Sequence, residues 1–219
     1  MKATKILAAL LAGALFLALF GACGKGADSM TPWKTSDPYP VVTITIGDNG
    51  AFKGGAITAE LYPDKAPNTV HNFISLINNG YYVGKVFHRA VPGFMIQGGS
   101  PKGDGTSVGF PYTINCETSG QGFAQNDLKH TPGVLSMAHA GPNTGGAQFF
   151  IMMGDADWLD GLHTAFGKVV EGMDVIERIV MLPKTGAQND QLTTKPMITA
   201  ISVDTFGIEY PEPVTKAAQ

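Results

Sequence analysis

"VFHRAVPGFMIQGG", Val86 to Gly99, decides the fold of this chain. Two short apolar runs flank a Pro-Gly turn signal, so the stretch reads as a hairpin of two strands. Strict alternation puts Phe87, Arg89 and Val91 on one face and His88 on the other. No acid stands near Arg89 in the sequence, and a guanidinium with five donors is almost never buried alone. The hairpin therefore asks for a sheet on which this arginine need not lie in the core.

Strand patterns extend on both sides of it. "VTITI" (42–46) alternates β-branched apolar residues with Thr, and "AITAEL", "KVFHRA", "FMIQG", "VLSMAH", "QFFIMM", "AFGKVV" and "MITAISVDTF" follow, separated by Gly, Pro, Asn and Asp. That makes about eight strands. In "APNTVHNFISLINNG", Val70, Phe73, Ile74 and Ile77 share one helical face; Pro67 suits the first turn and Gly80 the stop. In "GMDVIERIVMLP", Val175, Ile176, Ile179 and Val180 repeat the spacing before Pro183 ends it. Eight strands in an open sheet expose edges, and two short helices cannot bury their faces alone. A closed barrel with a helix over each end solves both problems, so the expected class is mainly β.

The chain has 219 residues, 44% hydrophobic and 15% charged, with 28 Gly and 14 Pro, which suits one domain rich in turns and strands. Its first 22 residues differ. Lys2 and Lys5 precede the unbroken apolar run "ILAALLAGALFLALF", and Gly21-Ala22-Cys23 follow, the marks of a secretory signal. The cysteine after Gly-Ala resembles a bacterial lipobox, in which Cys23 is lipidated and begins the mature protein. An uncleaved anchor, or an ordinary signal with a free cysteine, remains an alternative; each places the domain outside the cytoplasm. Residues 23–40 read as the lipidated cysteine and a Gly/Ser/Pro-rich tether, 41–207 as the domain and 208–219 as a polar tail. Loss of Lys2 and Lys5 leaves 13 basic against 18 acidic residues, a poor balance for nucleic acid. Cys116 alone cannot form an internal disulfide, and no local motif activates it.

Several chemistries lack their residues. There is no P-loop, "GDGTSVG" fails the dinucleotide spacing, and Ser100 in "GGSPK" does not form a nucleophile elbow. The histidines at 71, 88, 130, 139 and 163 include no H-E-x-x-H, no Cys pair completes a zinc site, and "DADWLD" lacks calcium-loop spacing. Without nucleophile, metal or nucleotide cradle, any catalysis here must depend on shape and electrostatics.

"FHRAVPGFMIQGG", "SMAHAGPNTGGAQFFI" and "DWLDGLHTAFGKV" resemble the signature of the cyclophilins, a family of peptidyl-prolyl cis–trans isomerases, in order over about Val41–Phe206. The resemblance implies an eight-stranded antiparallel barrel capped by two helices, proline-containing peptide segments as partners, and no cofactor. It implies Arg89 as catalytic arginine, with Phe94, Met95 and Gln97 lining the pocket. Ala138, His139 and Ala140 then form a backbone rail for the peptide. Gln148, Phe150, Leu159 and His163 complete the wall on the proline side, Trp158 borders the groove, and Gly105 lies at its edge.

Two departures stand out. His139 replaces the Asn of the family's "MANAG" stretch, where backbone groups are what the position mainly offers. Ser107 and Val108 replace a glycine pair, which bears on the outer pocket. Trp158 implies affinity for cyclosporin. Together with the signal, the resemblance leads to the expectation of a monomeric, lipid-anchored, extracytoplasmic bacterial isomerase that assists the folding of exported proteins. A groove that merely binds proline segments is the alternative, and a structural surface protein without a groove ligand is a third.

Overall fold

A computed structural model describes residues 34–50, 52–185 and 190–218. Cys23, the signal and most of the expected tether lie outside the described residues. The described strands, in chain order, are β1 (Val41–Ile46), β2 (Gly55–Leu61), β3 (Phe87–Val91), β4 (Met95–Gly98), β5 (Tyr112–Thr113) and β6 (Val134–Met137). They continue with β7 (Phe149–Met152), β8 (Ala165–Glu171), β9 (Lys184–Thr185), β10 (Gln191–Leu192), β11 (Ile198–Asp204) and β12 (Lys216–Ala217). Every strand pattern found in the sequence becomes one of these. The two helices are α1 (Pro67–Asn78) and α2 (Met173–Val180), and both bury the expected faces.

The first helix starts without help from its own sequence. Ala66 occupies the N-cap and supplies no side-chain acceptor. Glu117, buried in a distant loop, accepts hydrogen bonds from the Asn68 amide at 2.9 Å and from the Thr69 amide and hydroxyl, each at 2.7 Å. A carboxylate there satisfies two orphan amides and faces the positive end of the helix dipole. Burial nonetheless pushes its pKa up, against the pull of those three bonds.

The pairing corrects the expected closed eight-stranded barrel. Ten strands form one sheet in the order β11-β1-β2-β8-β6-β7-β4-β3-β10-β9, and no ladder joins β3 to β11. Those strands meet only ahead of their ladders. There, Val86 bridges Met197, the Phe87 amide donates to the Pro196 carbonyl at 2.9 Å, and the Ile198 amide donates to the Lys85 carbonyl at 2.8 Å. Pro196 has no N–H to extend this clasp, and β3 changes register one residue further on.

That change of register corrects the reading of the hairpin. Phe87 pairs with Gly98 and Arg89 with Gln97, leaving His88 as an extra residue, a β-bulge. Phe87 and Arg89 therefore do not share a face. Phe87 is fully buried in the main core, whereas Arg89 and Val91 point outward. That core is built around Phe73, whose ring lies 5.0 Å from Tyr82, 5.1 Å from Phe166 and 5.3 Å from Phe149. A second, smaller apolar cluster, centred on Met95, Phe150 and Met152, covers the outer side of the same strands.

Both ends of the described chain are fastened down. Tyr39, from the expected tether, meets Tyr62 edge-on at 4.9 Å. The segment expected as a polar tail turns back at Phe206 and Gly207 and buries Ile208. It then crosses α1 and ends as β12 paired with β5.

Candidate active site

The outer cluster exists because cross-strand partners share a face. Arg89 of β3 stands opposite Gln97 of β4, Gln97 opposite Phe150 of β7, and Phe150 opposite Ser136 of β6. Two residues away on the same face, Met95 stands opposite Met152. The interleaved residues Ala90, Ile96 and Ile151 go into the main core. One row of side chains thus crosses three ladders and runs from a guanidinium past a phenyl ring to a buried hydroxyl.

Loops close the other side. Arg89, Phe94, Met95, Gln97, Ala138, His139, Phe150, Leu159 and His163 line a groove of about 200 Å³. Nine of the twelve groove residues expected from the sequence therefore meet around one space. The other three stand beside it. Gln148 lies behind Gln97 and accepts its amide proton at 3.1 Å. Gln148 in turn donates to the Gly105 carbonyl and to Ser107 Oγ, both at 3.1 Å. Trp158 is exposed, its ring 5.8 Å from that of Phe94. Ala140 lines a neighbouring pocket.

The histidines fix one wall. His163 Nδ1 donates to the Met137 carbonyl at 2.9 Å, which leaves Nε2 without its proton when the ring is neutral. Burial holds its pKa down at about 4. The His139 ring stacks on it at 3.9 Å and 13°. It is pinned by Nε2 donating to the Leu162 carbonyl and Nδ1 accepting the Gly141 amide. His139 accordingly contributes a ring to the groove, where the sequence pointed mainly to backbone. Along the rail, the Ala138 amide goes to the Gln148 carbonyl and the Ala140 amide to Thr144 Oγ1. Among the described residues, the His139 amide and carbonyl have no bond.

Arg89 is not without an acid, as its sequence neighbourhood suggested. Its Nη2 lies 3.7 Å from Asp190 Oδ2, and each side chain is about one-third exposed. Asp190 is brought there by the backbone: its carbonyl accepts the Ala90 amide, and Gln191 pairs with Arg89. At 3.7 Å the contact is ionic but too long for a hydrogen bond, so the guanidinium keeps donors for a ligand. Sequence reasoning missed Asp190 because it arrives from 101 residues downstream, just ahead of the two-residue strand β10.

One cluster that invites a catalytic reading proves structural. His130 Nδ1 lies 3.0 Å from Asp160 and Nε2 lies 3.0 Å from Ser136 Oγ. Ser136 is completely buried and the His130 ring lies parallel to that of Phe150 at 6.0 Å, so the chain supports the groove floor from behind. No cluster of three or more metal-ligating side chains occurs among the described residues.

Comparison with known proteins places this architecture. A family model described as "Cyclophilin type peptidyl-prolyl cis-trans isomerase/CLD" matches residues 41–203. Peptidyl-prolyl cis-trans isomerase B of Bacillus subtilis is 53% identical over 121 residues, 55% of this chain and 80% of its own. Peptidyl-prolyl cis-trans isomerase-like 1 of Emericella nidulans is 42% identical over 151 residues, 68% of this chain and 90% of its own. A cyclophilin-type isomerase from Cryptosporidium parvum, crystallised in the presence of the dipeptide Ala-Pro, superposes with a TM-score of 0.62 at 29% identity. The superposition covers 76% of this chain and 99% of that one.

Proposed function

This chain belongs to the cyclophilin-type peptidyl-prolyl cis–trans isomerase family and is an isomerase of that kind, and from that premise we propose that it turns X-Pro bonds of exported proteins at the outer face of a bacterial membrane, with Arg89 as its catalytic residue. The groove that gathers Arg89 with eight of its expected neighbours carries this reading.

The chemistry follows from the amide. Cis and trans X-Pro forms lie close in energy, and the obstacle is a barrier of roughly 20 kcal/mol set by amide resonance. At the twisted midpoint the nitrogen recovers its lone pair and becomes a better acceptor than in either planar form. A donor beside that nitrogen therefore binds the transition state more tightly than the ground state, the condition for catalysis. Arg89 is permanently charged and rigid, so it serves without proton transfer. Phe94, Met95, Phe150 and Leu159 hold the proline ring, Gln97 faces the neighbouring carbonyl, and the His139 backbone takes the strand of peptide beyond it. Gln148 is a positioning residue, because it holds Gln97 by its amide. Stabilisation of this kind in a partly dry groove is worth several kcal/mol.

Exchange spectroscopy on an Ala-Pro peptide tests the role of Arg89. The full chain accelerates cis–trans exchange, and Arg89→Ala reduces the acceleration by about a hundredfold to a thousandfold with the fold intact. Acceleration unchanged by the substitution would remove Arg89 from the chemistry, and tight peptide binding with no exchange would make the groove a binding module. The envelope location rests on the signal-like residues 1–22 and on Cys23. Incorporation of a palmitate analogue into wild type and not into Cys23→Ser is the expected result; equal labelling would end the lipoprotein reading.

A further inference from the structure

The C-terminal segment builds a second cavity next to the groove. After Ile208 it runs along the outer face of α1, where Tyr210 meets the His71 ring at 5.8 Å and Ser75 Oγ donates to Glu212 at 2.9 Å. Asn68 then clamps Val214 twice, donating to its carbonyl at 3.0 Å and accepting its amide at 2.7 Å. Lys216 and Ala217 pair with Thr113 and Tyr112, and the Ala218 amide donates to the Pro111 carbonyl at 3.1 Å. The segment is thus a strap fastened at both ends of its course.

Its last residues form one side of a pocket of about 680 Å³. Ser107, Tyr112, Ala140 and Asn143 line it together with Lys216, Ala217 and Ala218 of the strap. The pocket is continuous in chemistry with the proline groove. The rail segment 138–140 gives Ala138 and His139 to the groove and Ala140 to this pocket. Gln148 also spans the two, bonded to Gln97 on one side and to Ser107 on the other. A peptide lying on the rail with proline in the groove therefore sends another of its side chains into this space. The lining holds hydroxyl and amide groups from Ser107, Thr113, Asn143 and Thr144, and its charged side chain is Lys216. No ion pair to Lys216 is formed among the described residues.

We propose that the strap sets the selectivity of this pocket, with Lys216 giving it a preference for peptides carrying a carboxylate near the proline. The proposal rests on the isomerase reading of the adjoining groove. An exposed-rim cation acts mainly through complementarity and like-charge exclusion, so the effect is selective rather than large.

The test uses the full chain and short peptides containing one Ala-Pro bond, with Glu, Gln or Lys walked through the positions on either side and Ala elsewhere. At one position, wild type turns over the Glu peptide with a kcat/KM above that of the Lys peptide by roughly fivefold. Lys216→Glu reverses that order and Lys216→Gln abolishes it, with the all-Ala peptide unaffected. The Asn68→Ala/Ser75→Ala variant, which unfastens the strap from α1, also loses the discrimination while keeping the all-Ala rate. No charge preference at any position, or the same preference in wild type and Lys216→Glu, overturns the proposal. Failure of wild type to accelerate even the all-Ala peptide would instead overturn the isomerase reading beneath it.

Discussion

Phe149 and Phe150 are consecutive in β7 and almost equally buried, at 0% and 5% exposure, yet they belong to different parts of the molecule. Phe149 enters the interior of the sheet, where Phe73, Tyr82 and Phe87 surround it at 5.3, 5.6 and 5.8 Å. Phe150 faces outward into a smaller cluster whose far side is loop and open groove. Apolar burial alone therefore does not mark function. What separates the two clusters is whether the opposite side is filled by this chain or left for another.

The sharpest way to break that contrast is to truncate each ring. Phe149→Ala opens a cavity in a closed core and should cost about 3–5 kcal/mol of stability, read from urea midpoints, while the exchange rate per folded molecule is kept. Phe150→Ala should cost clearly less stability and lower kcat/KM by roughly tenfold to a hundredfold, since it removes a wall of the proline pocket. Equal losses of stability and activity in the two variants would erase the distinction between interior and groove.

Acid provides a smaller, graded comparison. His88, enclosed at the bulge, and His163, in the groove wall, are each held at about 4, chiefly by burial, against 6.5 in the unfolded chain. Their folded-state values are depressed, so unfolded chains bind protons that the fold refuses between those limits. The stability contributed by the neutral rings is complete above pH 6.5 and is lost as pH falls toward 4. Urea midpoints should decline across that window. His88→Phe, which keeps the ring without a proton site, should flatten the decline; an unchanged slope would remove His88 from its cause.

Asp190→Asn should give the smallest effect. The pair with Arg89 is long and one-third exposed, worth at most about 1 kcal/mol. Asparagine there should lower kcat/KM about twofold, as the guanidinium loses a tether and keeps its charge. A loss as large as that of Arg89→Ala would mean that the acid, too, belongs to the catalytic machinery.

Much of this architecture was legible in the sequence. Val42, Ile44 and Ile46 alternate inward, and Val70, Phe73, Ile74 and Ile77 face the core at helical spacing, because side-chain periodicity is a local property. The groove residues could be placed because they recur in one recognisable order. What stayed hidden depends on partners distant in the chain. The bulge at His88 adds a residue with no change in composition, so strict alternation places Phe87 on the wrong face. Sheet closure depends on how Val86 meets Met197, and the acid beside Arg89 comes from the approach to β10. The strap was invisible for the same reason: "IEYPEPVTKAAQ" shows neither period nor apolar face, and the course of its described residues is set by Asn68, Ser75 and a two-residue strand pairing.

The remote carboxylate at the start of α1 carries a consequence for the order in which the chain assembles. Glu117 stands 49 residues beyond the amide of Asn68 that it satisfies. Closing a loop of that length costs on the order of 3 kcal/mol of chain entropy before any contact compensates it. The first turn of the helix therefore gains its acceptor only after the loop carrying Glu117 has docked. The apolar face of the helix waits longer still, since Phe73 packs against Phe149 and Phe166, so a newly made chain keeps Val70, Phe73 and Ile77 uncovered until β7 and β8 have been synthesised.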